Sequence, residues 1–268
     1  MSRIEAKFKE LEDKGEGALI TFVTAGDPKP ELTPRIVQAL TKYGDIVELG
    51  IPFSDPIADG PTIQGATDRA LKAGTNPETV LEIIRQIRRT SEVPLVLLTY
   101  YNIVFKRGVD KFMRDFTTAG MDGIVIPDLP IEEAGEVLRA TKKQGADLIL
   151  LVAPTTTPER LKRICDASSG FLYVVSLLGV TGARKRLSGL VKPLIADVRN
   201  ISRVPIAVGF GISKPEHVKE VIEAGADGAI VGSAFVNLIA KNLGDRQKML
   251  LEIEQFGKTL KAAARLTS

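Results

Sequence analysis

Eight short apolar runs, rich in Val, Ile and Leu, alternate with amphipathic segments along the 268 residues of this chain. Short buried runs separated by longer helix-like segments are typical of repeated βα units around a parallel sheet. Eight such units with short connections favour a closed barrel over an open, doubly wound sheet, which usually has fewer strands. The runs cover residues 18–23, 45–49, 95–99, 123–126, 148–152, 171–175, 206–208 and 228–231.

A glycine followed by an aspartate precedes several of these runs, as in TKYGDIVEL, TTAGMDGIVI, KKQGADLILL and EAGADGAIV. Glycine caps the C-terminus of a helix, so each segment is typical of a helix, a glycine turn and a strand. The first 17 residues, MSRIEAKFKELEDKGEG, alternate charges on a helical period. We therefore expect residues 1–268 to form one α/β domain, a single (β/α)8 TIM barrel with an additional N-terminal helix. An open doubly wound sheet is the structural alternative.

The composition argues against several classes of function. Lys and Arg number 36 against 33 Asp and Glu, and they are scattered, so the net charge of +3 gives no concentrated basic face for nucleic acid. Cys165 is the only cysteine, which excludes an internal disulfide and a cysteine metal cluster. No apolar run approaches the roughly 20 residues of a membrane helix, and the N-terminus lacks the apolar core of a signal peptide. We expect a soluble, cytoplasmic protein.

The irregular segment 48–64, ELGIPFSDPIADGPTIQ, follows the second predicted strand, where barrel enzymes place their reacting groups. Glu48 alternates with Val47 and Leu49, so its side chain should face the barrel interior or its mouth. A carboxyl group with little water around it should have a raised pKa, which suits general acid and base catalysis near neutral pH. A buried, paired structural acid is the alternative interpretation.

Two aspartates in the same segment compete for a second catalytic role. Asp59, on a loop that can fold back over the strand end, could divide acid and base roles with Glu48 or stabilise a developing cation. Asp55 is the competing candidate. Taken alone, the SDP and ADG sequences favour ordinary turn residues, because Asp bonds its own backbone while Pro and Gly shape the bend.

Three glycine-bearing segments follow strands and predict a phosphate site. Barrel enzymes often bind phosphate between the loops after strands seven and eight and the N-terminus of a short helix. GFGI at 209–212 and VGS ending at Gly232 and Ser233 fall at those two strand ends, and LGVTGA follows the sixth run. A phosphorylated small molecule is therefore the expected substrate. A single such glycine usually just makes a turn.

An apolar part of the substrate would need ring and aliphatic partners at the strand ends. Core packing is the default for each candidate, although a buried tyrosine hydroxyl such as that of Tyr173 needs a partner, which a neighbouring carboxylate would supply. His217, the only histidine, is expected at the surface, and one histidine cannot build a triad or a multi-histidine metal site. The candidates are Phe22, Leu98, Tyr100, Tyr173 and Phe210.

Over nearly its whole length the chain resembles the α subunits of tryptophan synthase. The most specific landmark is the segment 48–64, and several further landmarks follow in the same order. They are FVTAGDP at 22–28, TYYN at 99–102, PDLPIEE at 127–133, GVTGAR at 179–184, GFGI at 209–212 and VGSAFV from residue 231.

The resemblance implies a carbon–carbon lyase that cleaves indole-3-glycerol phosphate to indole and glyceraldehyde 3-phosphate by a retro-aldol reaction. It implies that Glu48 is the general acid and base, and that Asp59 stabilises the ring nitrogen of the protonated indole. It also assigns the five ring and aliphatic candidates to the indole pocket. The implied phosphate-binding residues are Gly182, Gly211, Gly232 and Ser233.

The resemblance further implies a partner, a β subunit with pyridoxal phosphate that receives indole through a tunnel in an α2β2 complex, and no cofactor or metal in this subunit. Loops around Asp55 and Thr181 match mobile segments that close the site and touch that partner, and closure would exclude water. Leu177 departs from the pattern, because many members carry Arg after the preceding serine. This departure bears on loop closure and its coupling to the partner.

Two rival functions stay open at this point. Another phosphosugar barrel enzyme would share the GFGI and VGS segments but would not require the carboxylates of segment 48–64. A non-catalytic barrel that only activates its partner would need neither carboxylate, since fold alone does not prove activity.

Overall fold

The computed structural model describes residues 1–175, 191–209 and 211–265. Within these residues the strands are β1 (Ala18–Thr24), β2 (Ile46–Gly50), β3 (Leu95–Leu98), β4 (Gly123–Val125), β5 (Asp147–Ile149), β6 (Leu151–Val152), β7 (Leu172–Val175), β8 (Ile206–Gly209) and β9 (Gly228–Val231). The helices are α1 (Arg3–Asp13), α2 (Thr33–Leu40), α3 (Pro61–Lys72), α4 (Pro77–Arg88), α5 (Tyr101–Arg107), α6 (Val109–Ala119), α7 (Gly135–Gln144), α8 (Pro158–Ala167), α9 (Val191–Ile201), α10 (Pro215–Glu223), α11 (Ser233–Lys241) and α12 (Arg246–Ala263), with a short 3-10 helix at Pro30–Leu32. No helix in these ranges has the length and apolar character needed to cross a membrane.

The nine strands form one parallel sheet in the order β5-β4-β3-β2-β1-β9-β8-β7-β6. Its two end strands, β5 and β6, are separated in the chain by Leu150 alone, and the Leu150 carbonyl accepts a hydrogen bond from the Tyr173 N–H on β7. The sheet therefore curls into a barrel with eight strand positions. Each of the eight predicted runs overlaps a strand, the fifth being divided at Leu150, and the predicted barrel is confirmed.

Alternate residues of each strand face opposite sides of the barrel wall, as the twofold period of a strand requires. One set forms the outer core between the sheet and the helices, and the other fills the barrel interior. The outer set includes Leu19, Val47, Leu97, Ile124, Leu148, Val174, Val208 and Ala229. The interior set includes Ile20, Ile46, Val96, Val125, Ile149, Tyr173, Ala207 and Ile230.

Helix α1 closes the N-terminal end of the barrel. Its apolar residues Ile4, Phe8 and Leu11 join the interior cluster, and the Phe8 ring lies 5.8 Å from the Phe171 ring. The helix starts with a capping box between Ser2 and Glu5, which satisfies backbone N–H groups at its first turn. The additional helix is therefore a plug that leaves only the other end of the barrel open for a site.

The aspartates of the glycine–aspartate segments fix the starts of strands. Three of them accept a hydrogen bond from a backbone N–H on the neighbouring strand, so each ties two strands at the N-terminal rim. Asp147 instead accepts from the Ser2 hydroxyl at 2.6 Å, which anchors α1. The three pairs are Asp45 with Leu19 N–H at 2.7 Å, Asp122 with Leu95 N–H at 2.8 Å, and Asp227 with Ile206 N–H at 2.7 Å.

Candidate active site

Glu48 lies inside the barrel near its open end. On β2 it is in register with Phe22 on β1 and with Val96 on β3, and Val96 belongs to the interior cluster. Residues in register on adjacent parallel strands face the same side, so Glu48 faces the interior, as the alternation predicted. Only 1% of Glu48 is exposed.

The buried position of Glu48 sets its protonation state. Burial, and then the negative charge of Asp59, raise its pKa from the ordinary 4.5 to about 8. Its Oε1 atom accepts no hydrogen bond from the described part of the chain. An uncompensated buried carboxylate is strongly disfavoured, so the group carries its proton at neutral pH. It can therefore donate a proton to a molecule bound in the mouth.

Asp59 reaches the same mouth from the loop after β2. The Tyr100 hydroxyl donates a hydrogen bond to the Asp59 carboxylate and accepts one from the Ala58 N–H at 3.0 Å. Burial raises the pKa of Asp59 to about 6, while the Tyr100 hydrogen bond opposes that rise. Asp59 is thus ionised at neutral pH beside a protonated Glu48. Such a split between two neighbouring carboxyl groups is the usual sign of distinct acid–base roles.

Asp55 lies apart from this pair. It is exposed, and its carboxylate accepts a hydrogen bond from the Ser54 hydroxyl beside it in the chain. Of the two competing aspartates, the structure brings only Asp59 into electrostatic contact with Glu48. Asp55 is a solvent-facing loop residue.

Aromatic and aliphatic side chains surround the carboxyl pair. Phe22 is 6% exposed and Tyr173 is 5% exposed, while Leu98 is half-buried and packs against Phe22. Burial and the charges of Glu48 and Asp59 raise the pKa of Tyr173 well above its usual range, so its hydroxyl keeps its proton. Phe22 and Leu98 come from the strands on either side of Glu48 and Tyr173 comes from β7 across the barrel, so the three predicted residues surround Glu48.

Tyr100 has a role that the sequence alone did not indicate. It was predicted as a pocket residue, and its ring does pack 5.3 Å from the Phe53 ring. Its hydroxyl, however, bonds both the Ala58 N–H and the Asp59 carboxylate in the loop after β2. This contact links residues about 40 positions apart, so only the folded chain reveals it.

Gln64 is a second residue that the sequence did not single out. Its side-chain N–H donates to the Asp59 carbonyl at 2.8 Å from the first turn of α3. Because α3 begins at Pro61, two residues after Asp59, this hydrogen bond holds Asp59 to the start of the helix. The signal was present in the sequence, since a polar residue three positions after a helix-starting proline can reach back to the preceding loop.

Three of the four predicted phosphate residues, Gly211, Gly232 and Ser233, lie at the ends of β8 and β9. Gly211 has a φ of +78°, a conformation that favours glycine. Gly232 is the N-cap of α11 and Ser233 its first residue, and no side chain caps that helix. Free N–H groups at a helix N-terminus are suited to an anion. Gly182, Thr181, Phe210 and Leu177 lie outside the described residues.

The prediction that His217 lies at the surface is wrong, because His217 is only 5% exposed. In α10 it shares the inward face with Val218, Val221 and Ile222, and its Nδ1 accepts from the Ser213 N–H at 3.3 Å. The charged neighbours in KPEHVKEV suggested exposure, but helical spacing turns the histidine toward the sheet. Among the described residues no cluster of His, Cys, Asp or Glu could hold a metal ion.

Known proteins are similar to this chain over nearly its whole length. The sequence model of the family described as "Tryptophan synthase alpha chain" matches residues 8–265. The chain is similar to tryptophan synthase alpha chains from Methanoregula boonei, with 49% identity over 98% of this chain and 99% of that protein, and from Methanosarcina acetivorans, with 52% identity over 92% and 90%.

Solved structures lead to the same family. A chain of Mycobacterium tuberculosis tryptophan synthase superposes with a TM-score of 0.91 and 36% identity, covering 99% of both chains. A chain from the tryptophan synthase a2b2 complex of Pyrococcus furiosus gives a TM-score of 0.87 and 41% identity, covering 92% of this chain and 99% of that one. This chain belongs to the tryptophan synthase alpha chain family.

Proposed function

We propose that Glu48 and Asp59 carry out, in this chain, the reaction of its family, the cleavage of indole-3-glycerol phosphate to indole and glyceraldehyde 3-phosphate. Membership of the family makes the chain a carbon–carbon lyase of tryptophan biosynthesis. The residue roles rest on one observation, the burial of Glu48 beside Asp59, which raises the pKa values of the two carboxyl groups to different extents. The pKa of Glu48 is raised to about 8 and that of Asp59 to about 6.

The reaction needs a proton donor first and a proton acceptor second. The Glu48 carboxyl group protonates the indole ring carbon that bears the glycerol chain, which gives a cation with its charge on the ring nitrogen. The ionised Asp59 stabilises that cation by accepting the ring N–H. The Glu48 carboxylate then takes the proton of the adjacent glycerol hydroxyl.

Loss of that proton breaks the carbon–carbon bond. The hydroxyl-bearing carbon becomes the aldehyde of glyceraldehyde 3-phosphate, and the electron pair of the broken bond returns to the ring to give neutral indole. Glu48 ends protonated, as it began, but with the proton of the glycerol hydroxyl in place of the one it gave to the ring, so the cycle is balanced without a cofactor. A single group serves as acid and then base because its pKa lies near the working pH.

The walls of the mouth provide the two binding subsites. Phe22, Leu98 and Tyr173 offer an apolar surface for the indole ring, and we assign Tyr100 and Phe210 to the same pocket. The substrate phosphate binds at the N-terminus of α11, through Gly232 and Ser233, and through Gly211 and Gly182. The ring then lies between the two carboxyl groups, and the phosphate is anchored at the ends of β8 and β9 on the same open rim of the barrel.

We infer that the chain works as the α subunit of an α2β2 complex in the cytoplasm, in which the β subunit receives indole and holds pyridoxal phosphate. The P. furiosus relative, described as part of an a2b2 complex, supports this assembly. The loop at Asp55 is a fitting contact surface, because Ile57 beside it is 78% exposed. The loop at Thr181 is assigned to the same interface. Residues 1–268 are proposed to act as one barrel domain.

The rival functions make different predictions for one assay. The purified chain is mixed with indole-3-glycerol phosphate, with and without a β subunit, and free indole and glyceraldehyde 3-phosphate are measured. We expect both products in equal amounts and faster release with the partner. An intact substrate in both mixtures would favour a non-catalytic barrel, and conversion without indole would favour another phosphosugar enzyme.

Asp59→Asn tests the second carboxylate in the same assay. We expect turnover to fall roughly 10²-fold or more, as when one preorganised transition-state contact is removed. The free energy of unfolding should change little, because Asn keeps the size of the side chain. A variant that loses stability but keeps its turnover would show that Asp59 is only a turn residue.

A further inference from the structure

A buried ion pair, separate from Glu48 and Asp59, joins helix α3 to the loop that follows β1. Arg69 Nε donates to Asp27 Oδ1 at 2.7 Å, and Arg69 Nη2 donates to Asp27 Oδ2 at 2.9 Å. The Asp27 side chain is 0% exposed and that of Arg69 is 26% exposed. Two parallel N–H donors on one carboxylate fix orientation as well as distance.

Helix α3 buries smaller side chains than α4, and its partly buried Ile63 packs with Ala66 in the cluster around Phe22. Its buried residues are Ala66, Thr67 and Ala70, whereas the equally long α4 buries five branched aliphatic residues. Small side chains fill less of the interface and stabilise it less. The position of α3 against β1 therefore depends more on its one bidentate polar contact than that of α4 does.

The loop that carries Asp27 is itself rigidly held. The Gly26 N–H donates to the Thr33 hydroxyl at 2.9 Å, and the Asp27 N–H donates to the Thr24 carbonyl at 3.2 Å. Gly26 packs so closely on Thr75, the residue after the turn that ends α3, that an added Cβ would lie 1.9 Å from the Thr75 hydroxyl oxygen. The Asp27 carboxylate is thus held in place on the barrel and can orient the Arg69 side chain.

The N-terminal end of α3 holds the loop that carries Asp59. Asp59 precedes the N-cap Gly60, and Gln64 in the first turn donates to the Asp59 carbonyl at 2.8 Å. A rotation of α3 would therefore move the Asp59 backbone away from Tyr100, whose hydroxyl orients the carboxylate.

We propose that Arg69 and Asp27 are positioning residues that set the place of Asp59 in the mouth through helix α3. In the proposed reaction neither side chain touches the substrate, and both act through the geometry of Asp59. The inference rests on the proposed function, because it assumes that Asp59 takes part in the reaction.

Arg69→Met tests the pair, because it removes the donors and keeps the aliphatic part of the side chain. Arg85→Met is the matched control, since Arg85 lies on α4, is 54% exposed and pairs with Glu82 at 3.6 Å. We expect Arg69→Met to lower kcat about tenfold with KM changed less than about threefold, because the reaction step loses its geometry while binding is kept. The control should stay within about twofold of the wild type.

A double-mutant cycle with Asp59→Asn separates positioning from general destabilisation. If Arg69 acts through Asp59, Arg69→Met should change the residual rate of the Asp59→Asn variant less than about twofold. If Arg69→Met only destabilised the fold, it would lower kcat by the same factor in the wild type and in Asp59→Asn. If Arg69→Met does not fold, as circular dichroism would show, Asp27→Asn/Arg69→Gln is used instead, because it leaves no buried charge unpaired.

A carboxyl titration by ¹³C NMR gives a second readout, with the Asp59 signal identified by its loss in Asp59→Asn. In Arg69→Met the pKa of Asp59 should move away from about 6, because both its burial and its Tyr100 hydrogen bond, which set that value, depend on the position of the side chain. Two results would overturn the positioning role of Arg69 and leave the proposed function standing. One is a folded Arg69→Met variant with unchanged kcat and an unchanged Asp59 pKa. The other is an equal fall in kcat when Arg69→Met is added to the wild type and to Asp59→Asn. Normal turnover by Asp59→Asn would instead contradict the proposed function.

Discussion

The ring of Tyr173 lies against Gly209 on the adjacent strand, and a Cβ added at Gly209 would stand 2.5 Å from both the Tyr173 hydroxyl oxygen and its Cε1. Gly209 ends β8 and is in register with Val175, so the Tyr173 side chain leans toward the open end of the barrel. Only glycine leaves room for the ring there. The same ring is buried beside the catalytic carboxyl groups, so the identity of residue 209 should affect the reaction.

Gly209→Ala should displace the Tyr173 ring. We expect a loss of roughly 1–3 kcal/mol in the free energy of unfolding, which is typical of overpacking, and a fall in kcat/KM of about tenfold, since a ring moved in the mouth disturbs substrate alignment. Gly244→Ala is the matched control, because nothing lies within 4 Å of a Cβ at that exposed site. Urea unfolding and indole release measure both effects. If Gly209→Ala matched Gly244→Ala in both stability and indole release, the contact between Gly209 and the Tyr173 ring would have no effect on either.

The two carboxyl groups predict a bell-shaped pH profile for kcat/KM. Turnover needs ionised Asp59 and protonated Glu48, so the rate should fall below about pH 6 and above about pH 8. Tyr100→Phe removes the hydrogen bond that lowers the pKa of Asp59, so the acidic limb should move to higher pH. The basic limb should stay in place. An acidic limb that did not move would separate Tyr100 from the titration of Asp59.

The raised pKa of Glu48 also makes the stability of the fold depend on pH. The unfolded chain ionises this group near pH 4.5 and the folded chain near pH 8, so between these values the folded state binds more protons. Stability due to this group is therefore lost as pH rises through that window. Glu48→Gln cannot ionise, so its stability relative to the wild type should increase steadily from pH 4.5 to pH 8.

Urea unfolding of both proteins across that range measures the difference. Glu82→Gln is the control, because the Glu82 side chain is 48% exposed and should not reproduce the trend. A constant difference between Glu48→Gln and the wild type would mean that the Glu48 carboxyl group is not held in its neutral form.

The barrel could be predicted from the sequence because the pattern that indicates it is formed by residues close together in the chain. Apolar runs of buried parallel strands and the alternation around Glu48 depend only on neighbouring residues, and both predictions are confirmed by the strand pairing. The plugging role of α1 was not predicted, because it depends on contacts such as that between Phe8 and Phe171. The glycine–aspartate segments suggested only helix caps, whereas aspartates such as Asp122 bond a neighbouring strand.

The site could be predicted only in part, for the same reason. Asp59 and Asp55 occupy similar turn sequences, and local rules favoured a turn role for both. What separates them is the Tyr100 hydroxyl, which comes from another strand end. The burial of His217 was missed because its neighbours are charged, although its spacing with Val218 and Val221 already placed it on the inward face. Roles for the phosphate residues stay predictions.

Turnover by Glu48→Gln shows whether Glu48 transfers the proton. Gln keeps the size of the side chain but can neither donate nor accept the transferred proton, so substrate should still bind with a dissociation constant within about threefold of the wild type. Indole release measured with and without the β subunit should fall by roughly 10²-fold or more, the usual contribution of a general acid or base. Indole release at a near-normal rate would show that Glu48 does not transfer the proton.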